Sequence, residues 1–266
     1  MFGFVTGQFS TSGDFREGNE DSLYASHWSA FVADGVGGHA GGEVASATVT
    51  IRIAATLDAT RGRIDSDEKL RELIAIANAD LALRARLDTS LTGMATTFTG
   101  IFSDGERIRV AHVGDSRAYL LRDGEFRQVT RDDSFVQDLL DAGELTTDEA
   151  KVHPYRSVVM NVLGGDLEDA AALHILNEVP QVGDRWLLAS DGLTDYVPEH
   201  IVRACLASRA RPQDVAQLLV ETATDMRARD NVTVVVADVI SLAGEPAYKP
   251  AFGGSAALDP ASTRTL

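Results

Sequence analysis

Residues 96–129 read TTFTGIFSDGERIRVAHVGDSRAYLLRDGEFRQV. Four apolar or β-branched runs, 96–102, 107–113, 118–122 and 125–129, are separated in part by Asp104-Gly105 and Asp123-Gly124. Asp-Gly between such runs signals a tight turn, because both residues tolerate positive φ, so this stretch predicts antiparallel hairpins. On either side of it, short β-rich runs at 4–11, 28–33, 171–176, 185–189 and 232–240 read as further strands. Helical spacing appears at 42–57, where Val44, Ala45, Thr48, Ile51 and Ala55 share a face. It recurs at 66–87, with Leu70, Leu73, Ile74, Ala77 and Leu81 as the apolar stripe and Asp65 and Glu68 resembling a capping box. Shorter helices are expected at 135–142, 199–207 and 212–227. Strands joined by tight turns, with helices in pairs, predict an α+β fold of antiparallel sheets covered by helices rather than a parallel βαβ repeat.

The chain has 266 residues, 44% of them apolar and 24% charged, an ordinary globular mixture that can bury a full core. One domain is expected over 1–240, and residues 241–266, rich in Gly, Ala, Pro and Ser without periodicity, read as a disordered tail. Asp and Glu number 40 against 24 Lys and Arg, a net charge of −16. That balance argues against nucleic acid and against an anionic membrane surface as partners. The single cysteine, Cys205, rules out an internal disulfide or a cysteine-based zinc site. With no charged signal start before Arg16 and no apolar run of membrane-spanning length, a soluble cytoplasmic protein is expected.

The informative acids stand at the ends of buried-looking strands. Ala30-Phe31-Val32-Ala33 runs into Asp34-Gly35, Val110-Ala111-His112-Val113-Gly114 into Asp115, and Trp186-Leu187-Leu188-Ala189-Ser190 into Asp191. Asp230 precedes the last strand, and Glu20 lies in Asn19-Glu20-Asp21. Asp-Gly at 104 and 123 is explained by hairpins, but Asp34 and Asp191 each lead into a helix, so the turn explanation weakens there. Converging carboxylates repel one another unless a cation joins them, and oxygen-only ligands select hard ions such as Mg²⁺ or Mn²⁺.

These residues carry a pattern. Arg16-Glu17-Gly18-Asn19-Glu20-Asp21, Asp34-Gly35-Val36-Gly37-Gly38-His39 and Gly93-Met94-Ala95-Thr96-Thr97 come first. Gly114-Asp115-Ser116-Arg117, Ser190-Asp191-Gly192-Leu193 and Arg229-Asp230-Asn231-Val232-Thr233 come after them in order. Together they resemble the bacterial branch of the type 2C metal-dependent (PPM) Ser/Thr protein phosphatases, over nearly the whole of residues 5–240. The resemblance implies an αββα four-layer sandwich of two antiparallel sheets flanked by helix pairs, with two Mn²⁺ or Mg²⁺ ions at one end. Asp34, the Gly35 carbonyl, Glu20, Asp191 and Asp230 would serve the pair, and Asp115 a third, weaker ion. Asp21 and Asn231 would orient ligands, Arg16 would hold substrate phosphate, and His39 would protonate the leaving oxygen. The implied reaction is hydrolysis of phosphoserine or phosphothreonine in proteins, by a metal-bridged hydroxide attacking phosphorus in line, in opposition to a Ser/Thr kinase. Residues 131–163 correspond to the family's flap, with Asp133 where a histidine is usual. Val36 and Ala95 also depart from the usual Met and Gly, without removing a ligand.

Three rival readings have sequence support. Gly35-Val36-Gly37-Gly38-His39-Ala40 matches a dinucleotide fingerprint, with Asp58 downstream, though Asp34 would repel a pyrophosphate. Cys205 and Arg211 have the C-x5-R spacing of cysteine phosphatases, but the segment lacks glycine and continues an amphipathic helix. A catalytically inactive phosphoprotein-binding module of the same fold is the third. The histidines lack zinc-hydrolase spacing, and His112 and His174 read as structural.

Overall fold

The computed structural model describes residues 1–36, 41–244 and 249–257. The chain opens with strands β1 (Phe2–Thr11), β2 (Ser22–Ala25), β3 (Ser29–Ala33) and β4 (Gly35–Val36), then helices α1 (Gly41–Ala59) and α2 (Asp67–Leu87). Five strands succeed them: β5 (Ala95–Thr96), β6 (Phe98–Ser103), β7 (Ile108–Val113), β8 (Arg117–Arg122) and β9 (Glu125–Gln128). Next come the short helices α3 (Phe135–Asp141) and α4 (Thr147–Lys151), then β10 (His174–Glu178) and β11 (Arg185–Ala189). Helices α5 (Asp191–Thr194), α6 (Glu199–Leu206) and α7 (Pro212–Asp225) precede β12 (Val232–Ser241) and β13 (Ala251–Gly254).

One sheet has the order β1-β12-β11-β8-β9, the other β10-β7-β6-β3-β2-β13, and β4 and β5 form a two-stranded ribbon. Every pairing among these strands is antiparallel. The central strands are buried on both faces, and their period of two sorts residues between two cores. In β12, Val235, Ala237 and Val239 face the other sheet, where they meet Leu23, Val32 and Val110, with Trp186 of the neighbouring β11 in the same interlayer. Val232, Val234 and Val236 face α6 and α7, against Val202, Leu206, Val215 and Leu219. On the far side, Tyr24, Phe31, Phe98 and Phe102 pack against Val49, Ile53, Leu70, Ile74 and Leu81 of α1 and α2. Three apolar interlayers make four layers, αββα, as the resemblance implies.

Two buried arginines tie layers together. Arg185 forks onto Asp238 at 2.6 and 2.8 Å and also donates to the carbonyls of Leu206, Ser208 and Ala210, fixing the α6–α7 corner to the sheet. Arg109 likewise reaches Asp67, Asp104 and the carbonyls of Ile64 and Asp65 at the start of α2.

Several local expectations are corrected. Ser66, not Asp65, caps α2, accepting the Lys69 N–H, while Asp65 instead pairs with the Lys69 ammonium. The strand expected from residue 171 begins at His174, after a 3₁₀ turn over Asp169–Ala172. The Asp123-Gly124 hairpin has both residues at positive φ, as a two-residue turn requires, whereas Asp104 bonds the amides of Glu106 and Arg107 in a longer loop. The segment beyond Ser241 is not structureless: β13 adds a sixth strand beside β2. Edge pairing needs backbone groups rather than apolar side chains, so its composition gave no strand signal.

Residues 131–163 leave the sheets as a helical excursion. Ser134 caps α3, and Thr146 with Glu149 forms a capping box on α4. The excursion returns where Leu163 and Thr96 exchange backbone hydrogen bonds at 2.8 and 2.9 Å.

Candidate metal centre

Asp34 comes directly after β3, and its backbone is fixed by the two threonines of the Gly93-Met94-Ala95-Thr96-Thr97 motif. Thr97 donates its N–H to the Asp34 carbonyl at 2.8 Å, Thr96 Oγ1 donates to the same oxygen at 2.9 Å, and the Asp34 N–H returns to Thr97 Oγ1. Asp115 stands just past β7 in the same sheet. Asp191 opens α5 after β11, and Asp230 precedes β12 in the opposite sheet. Gly192 admits no side chain: a Cβ there would lie 1.9 Å from the Asn231 carbonyl, so α5 rests directly on the backbone that follows Asp230. Acids from both sheets therefore meet at one end of the sandwich.

Electrostatics shows how closely they meet. Burial, then the charges of Asp21, Asp191, Asp115 and Asp230, push the Asp34 carboxyl well above the usual carboxylate range. Asp191 is pushed up in the same way, by burial and then by Asp115, Asp195, Asp230 and Asp21. Asp115 rises to about 7 through burial, with Asp132 and Asp195 adding repulsion. Asp21 rises to about 6 through burial, although the Ser190 hydroxyl donates to its Oδ2 at 2.9 Å. Its Oδ1 is buried with no hydrogen-bond partner in the described structure.

Glu20 and Arg16 sit on the loop between β1 and β2. The Glu20 carboxylate lies against Gly42 in the first turn of α1, and its carbonyl accepts the Gly35 N–H. Asn231 accepts the Glu20 N–H, so this expected orienting residue bonds the backbone of an expected ligand. Arg16 donates from Nη2 to Asp230 at 2.8 Å and from Nε to the Arg229 carbonyl, with its guanidinium about half exposed. His39, the expected proton donor, lies outside the described residues.

The fit to divalent cations rests on this chemistry. Four buried or cleft-floor carboxylates face one another, an acid oxygen is orphaned beside them, and the Arg16 guanidinium offsets the charge of Asp230 alone by direct contact. Oxygen-only donors of this density suit hard ions. Among the described residues no three His, Cys, Asp or Glu side chains close round one point.

Two acids beyond the sequence reading bear on the site. Asp195 stands four residues after Asp191, a spacing that puts both on one face of α5 and its extension. Asp132 forks onto Arg117 at 2.9 and 2.6 Å beside Asp115. A cleft of about 590 Å³ opens from Asp115 and Asp191 toward the excursion, with Arg117, Arg156 and Tyr196 in its walls. The rival sites are not built. Cys205 lies within α6, and the turn from there to Arg211 gives the carbonyls of Ser208 and Ala210 to Arg185 and bonds the amides of Ala207 and Ser208 back to α6 rather than wrapping an anion. The antiparallel sheets exclude a dinucleotide fold. His112 is buried between Thr99 Oγ1 and the Arg131 carbonyl, as a structural histidine should be.

A sandwich with acids of both sheets gathered at one end is an arrangement whose donors suit hard divalent ions. The profile of the Protein phosphatase 2C family matches residues 17–228. The serine/threonine protein phosphatase PstP of Mycobacterium tuberculosis is 43% identical over 232 residues, covering 87% of this chain and 44% of PstP. The serine/threonine phosphatase stp of Listeria monocytogenes is 33% identical over 210 residues, covering 78% of this chain and 82% of that protein. The crystal structure of the PstP catalytic domain, in complex with two manganese ions, superposes with a TM-score of 0.83 at 39% identity, covering 91% of this chain and 100% of that one. The chain belongs to the protein phosphatase 2C family. It spans less than half the length of PstP.

Proposed function

We propose that this chain hydrolyses phosphoserine and phosphothreonine in proteins, using two Mn²⁺ or Mg²⁺ ions, and opposes a cytoplasmic Ser/Thr kinase. The observation that carries the reading is the convergence of Asp34, Asp191, Asp115 and Asp230 at one end of the sandwich, with Asp34 feeling the charge of the other three. Asp34, Asp191, Asp230, Glu20 and the Gly35 carbonyl would hold the two ions, with Asp115 available to a third. When bound, such ions supply Lewis acidity that brings a water's pKa toward neutrality.

The chain's own residues do the rest. Arg16 presents a partly exposed fork beside Asp230, shaped to take two phosphoryl oxygens and offset their charge. Asn231, through the Glu20 amide, fixes the loop that carries both Arg16 and Glu20. Thr96 and Thr97 hold the Asp34 backbone, which spares the carboxylate from ordering at the moment of reaction. The helical excursion forms one wall of the cleft, where the peptide on either side of the phosphorylated residue would lie. His39 is the proposed proton donor to the leaving oxygen. No described helix is long and apolar enough to cross a membrane, which suits a catalytic unit working on protein substrates in solution.

The test is release of phosphate from a phosphothreonine peptide. Activity should vanish in EDTA and return with Mn²⁺. Binding of the peptide without turnover in excess Mn²⁺ would instead establish the inactive module.

A further inference from the structure

We propose that the C-terminal segment 249–257 is a positioning strap for the metal centre, fixing the backbone of residues 19–21 and thereby the placement of Glu20 and Asp21. The proposal rests on the metal-centre reading above and assigns a role to a part of the chain outside the residues matched by the family profile.

The segment docks in register on the edge of the six-stranded sheet, Ala251 opposite Ala25, Phe252 opposite Tyr24, Gly253 opposite Leu23 and Gly254 opposite Ser22. Phe252 meets Tyr24 edge to face at 5.5 Å. The end of the strand makes the specific contacts. Gly254 has φ +62°, and a Cβ there would lie 2.1 Å from the Asp21 carbonyl oxygen, so only glycine lets the chain pass so close. Ser255 then turns inward and is buried. Its N–H donates to the Asp21 carbonyl at 2.8 Å, and its hydroxyl is shared between the carbonyls of Asn19 and Asp21. The Ala256 N–H donates to Ser22 Oγ, and the turn Ser255–Ala257 packs on α1.

The two carbonyls flanking Glu20 are thus both held by the tail. The groups of Glu20 itself are held from within the domain: its N–H by Asn231 Oδ1, its carbonyl by the Gly35 N–H and the Ser46 hydroxyl. The loop is gripped from both sides, and the outer grip is the strap. Without it, Asn19 and Asp21 would turn to water, and the acids they bracket would lose a fixed approach to an ion. Groups that orient a metal ligand typically govern affinity by about ten- to a hundredfold.

The experiment compares the full chain with Ser255→Ala, which removes the shared hydroxyl, and Gly254→Val, which blocks the close approach. Mn²⁺ binding is measured by calorimetry, and hydrogen exchange is followed at the amides of residues 20 and 21. Both variants should bind Mn²⁺ roughly tenfold more weakly, with faster exchange at those amides and unchanged exchange in the β8–β9 hairpin. A lowered melting temperature with an unchanged Mn²⁺ Kd is the signature of a merely structural tail and overturns the strap alone. A wild-type chain that takes up no Mn²⁺ overturns the metal-centre reading, and the strap with it.

Discussion

Asn231 bonds the Glu20 backbone: its Oδ1 accepts the Glu20 N–H at 2.8 Å, while its Nδ2 donates to the carbonyls of Gly18 at 2.9 Å and Ser12 at 3.2 Å. One amide therefore spans the loop that carries Arg16 and Glu20, from a position next to Asp230. Asn231→Ala should weaken Mn²⁺ activation by roughly ten- to a hundredfold, read as a shift of the Mn²⁺ concentration giving half-maximal activity. Asn231→Asp should not restore it, because a carboxylate cannot donate to Gly18 and Ser12. Wild-type Mn²⁺ dependence in both variants would remove Asn231 from any orienting role.

Asp34→Asn separates stability from function. The side chain sits among like charges, so its ionised form destabilises the ion-free protein. Its backbone clamp by Thr96 and Thr97 does not use the carboxylate and should survive. The variant should therefore melt at a higher temperature than wild type in EDTA at about pH 8, because the raised carboxyl costs the folded state relative to an unfolded chain in which it is ionised, a cost the amide does not carry. It should lose most of the stabilisation by Mn²⁺, which for a bound ion at a hundred times its Kd is about 2.7 kcal/mol. Turnover should fall by roughly a thousandfold or more, since several kcal/mol of charge stabilisation depend on the bound ions. Differential scanning calorimetry with and without Mn²⁺ reads the first two effects, and a phosphopeptide assay the third. Retained turnover would contradict the assignment of Asp34.

The same carboxylates set a pH dependence whose sign is unusual for acids. Asp21 and Asp115 titrate in the folded state at about 6 and about 7, raised chiefly by burial. Asp34 and Asp191 are raised as well. In the unfolded chain each returns to about 3.9. Between those limits these groups bind more protons in the folded protein than in the unfolded chain, so their contribution to stability declines as pH rises from about 4 to 7. Each extra proton contributes a slope of about 1.4 kcal/mol per pH unit. Urea midpoints in EDTA should accordingly drop across this range. Added Mn²⁺ should offset the drop more strongly at about pH 7 than at about pH 5, because ions and protons compete for the same oxygens. A midpoint in EDTA that climbs between those two pH values would show that the protein compensates these charges without ions.

The acids of the site were legible because each one ends or begins a strand whose apolar run is unmistakable, as with Val110–Val113 before Asp115 and Trp186–Ala189 before Asp191. Pairing of Asp104-Gly105 and Asp123-Gly124 with β-rich runs likewise pointed to the antiparallel layers. Contacts made through backbone left no such trace. Ser22–Ala25 is four residues long, and Ala251–Gly254 ends in two glycines, yet both are strands because neighbouring edges satisfy their amides. Asp195 was available to a reader who placed Asp191 at the head of a helix, since the fourth residue onward returns to the same face. The choice of Ser66 over Asp65 as the cap of α2 is a one-residue shift that side-chain pattern alone does not decide.

Arg16 tests whether the acid cluster recognises phosphate. Its guanidinium is a cation placed at the mouth of the acid cluster, engaged by one Nη on Asp230 and by Nε on a carbonyl, which leaves the other Nη to meet a ligand. A dianionic phosphoryl group arriving there gains charge-assisted bonds of about 1.5–3 kcal/mol each. Arg16→Ala should therefore lower kcat/KM for a phosphothreonine peptide by roughly ten- to a hundredfold, carried mainly by a higher KM. Arg16→Lys should recover only part of it, because an ammonium restores the charge but not the fork. Product inhibition by inorganic phosphate should weaken in parallel with KM. If instead Arg16→Ala lowers kcat alone and leaves phosphate inhibition untouched, Arg16 acts through Asp230 rather than on the substrate.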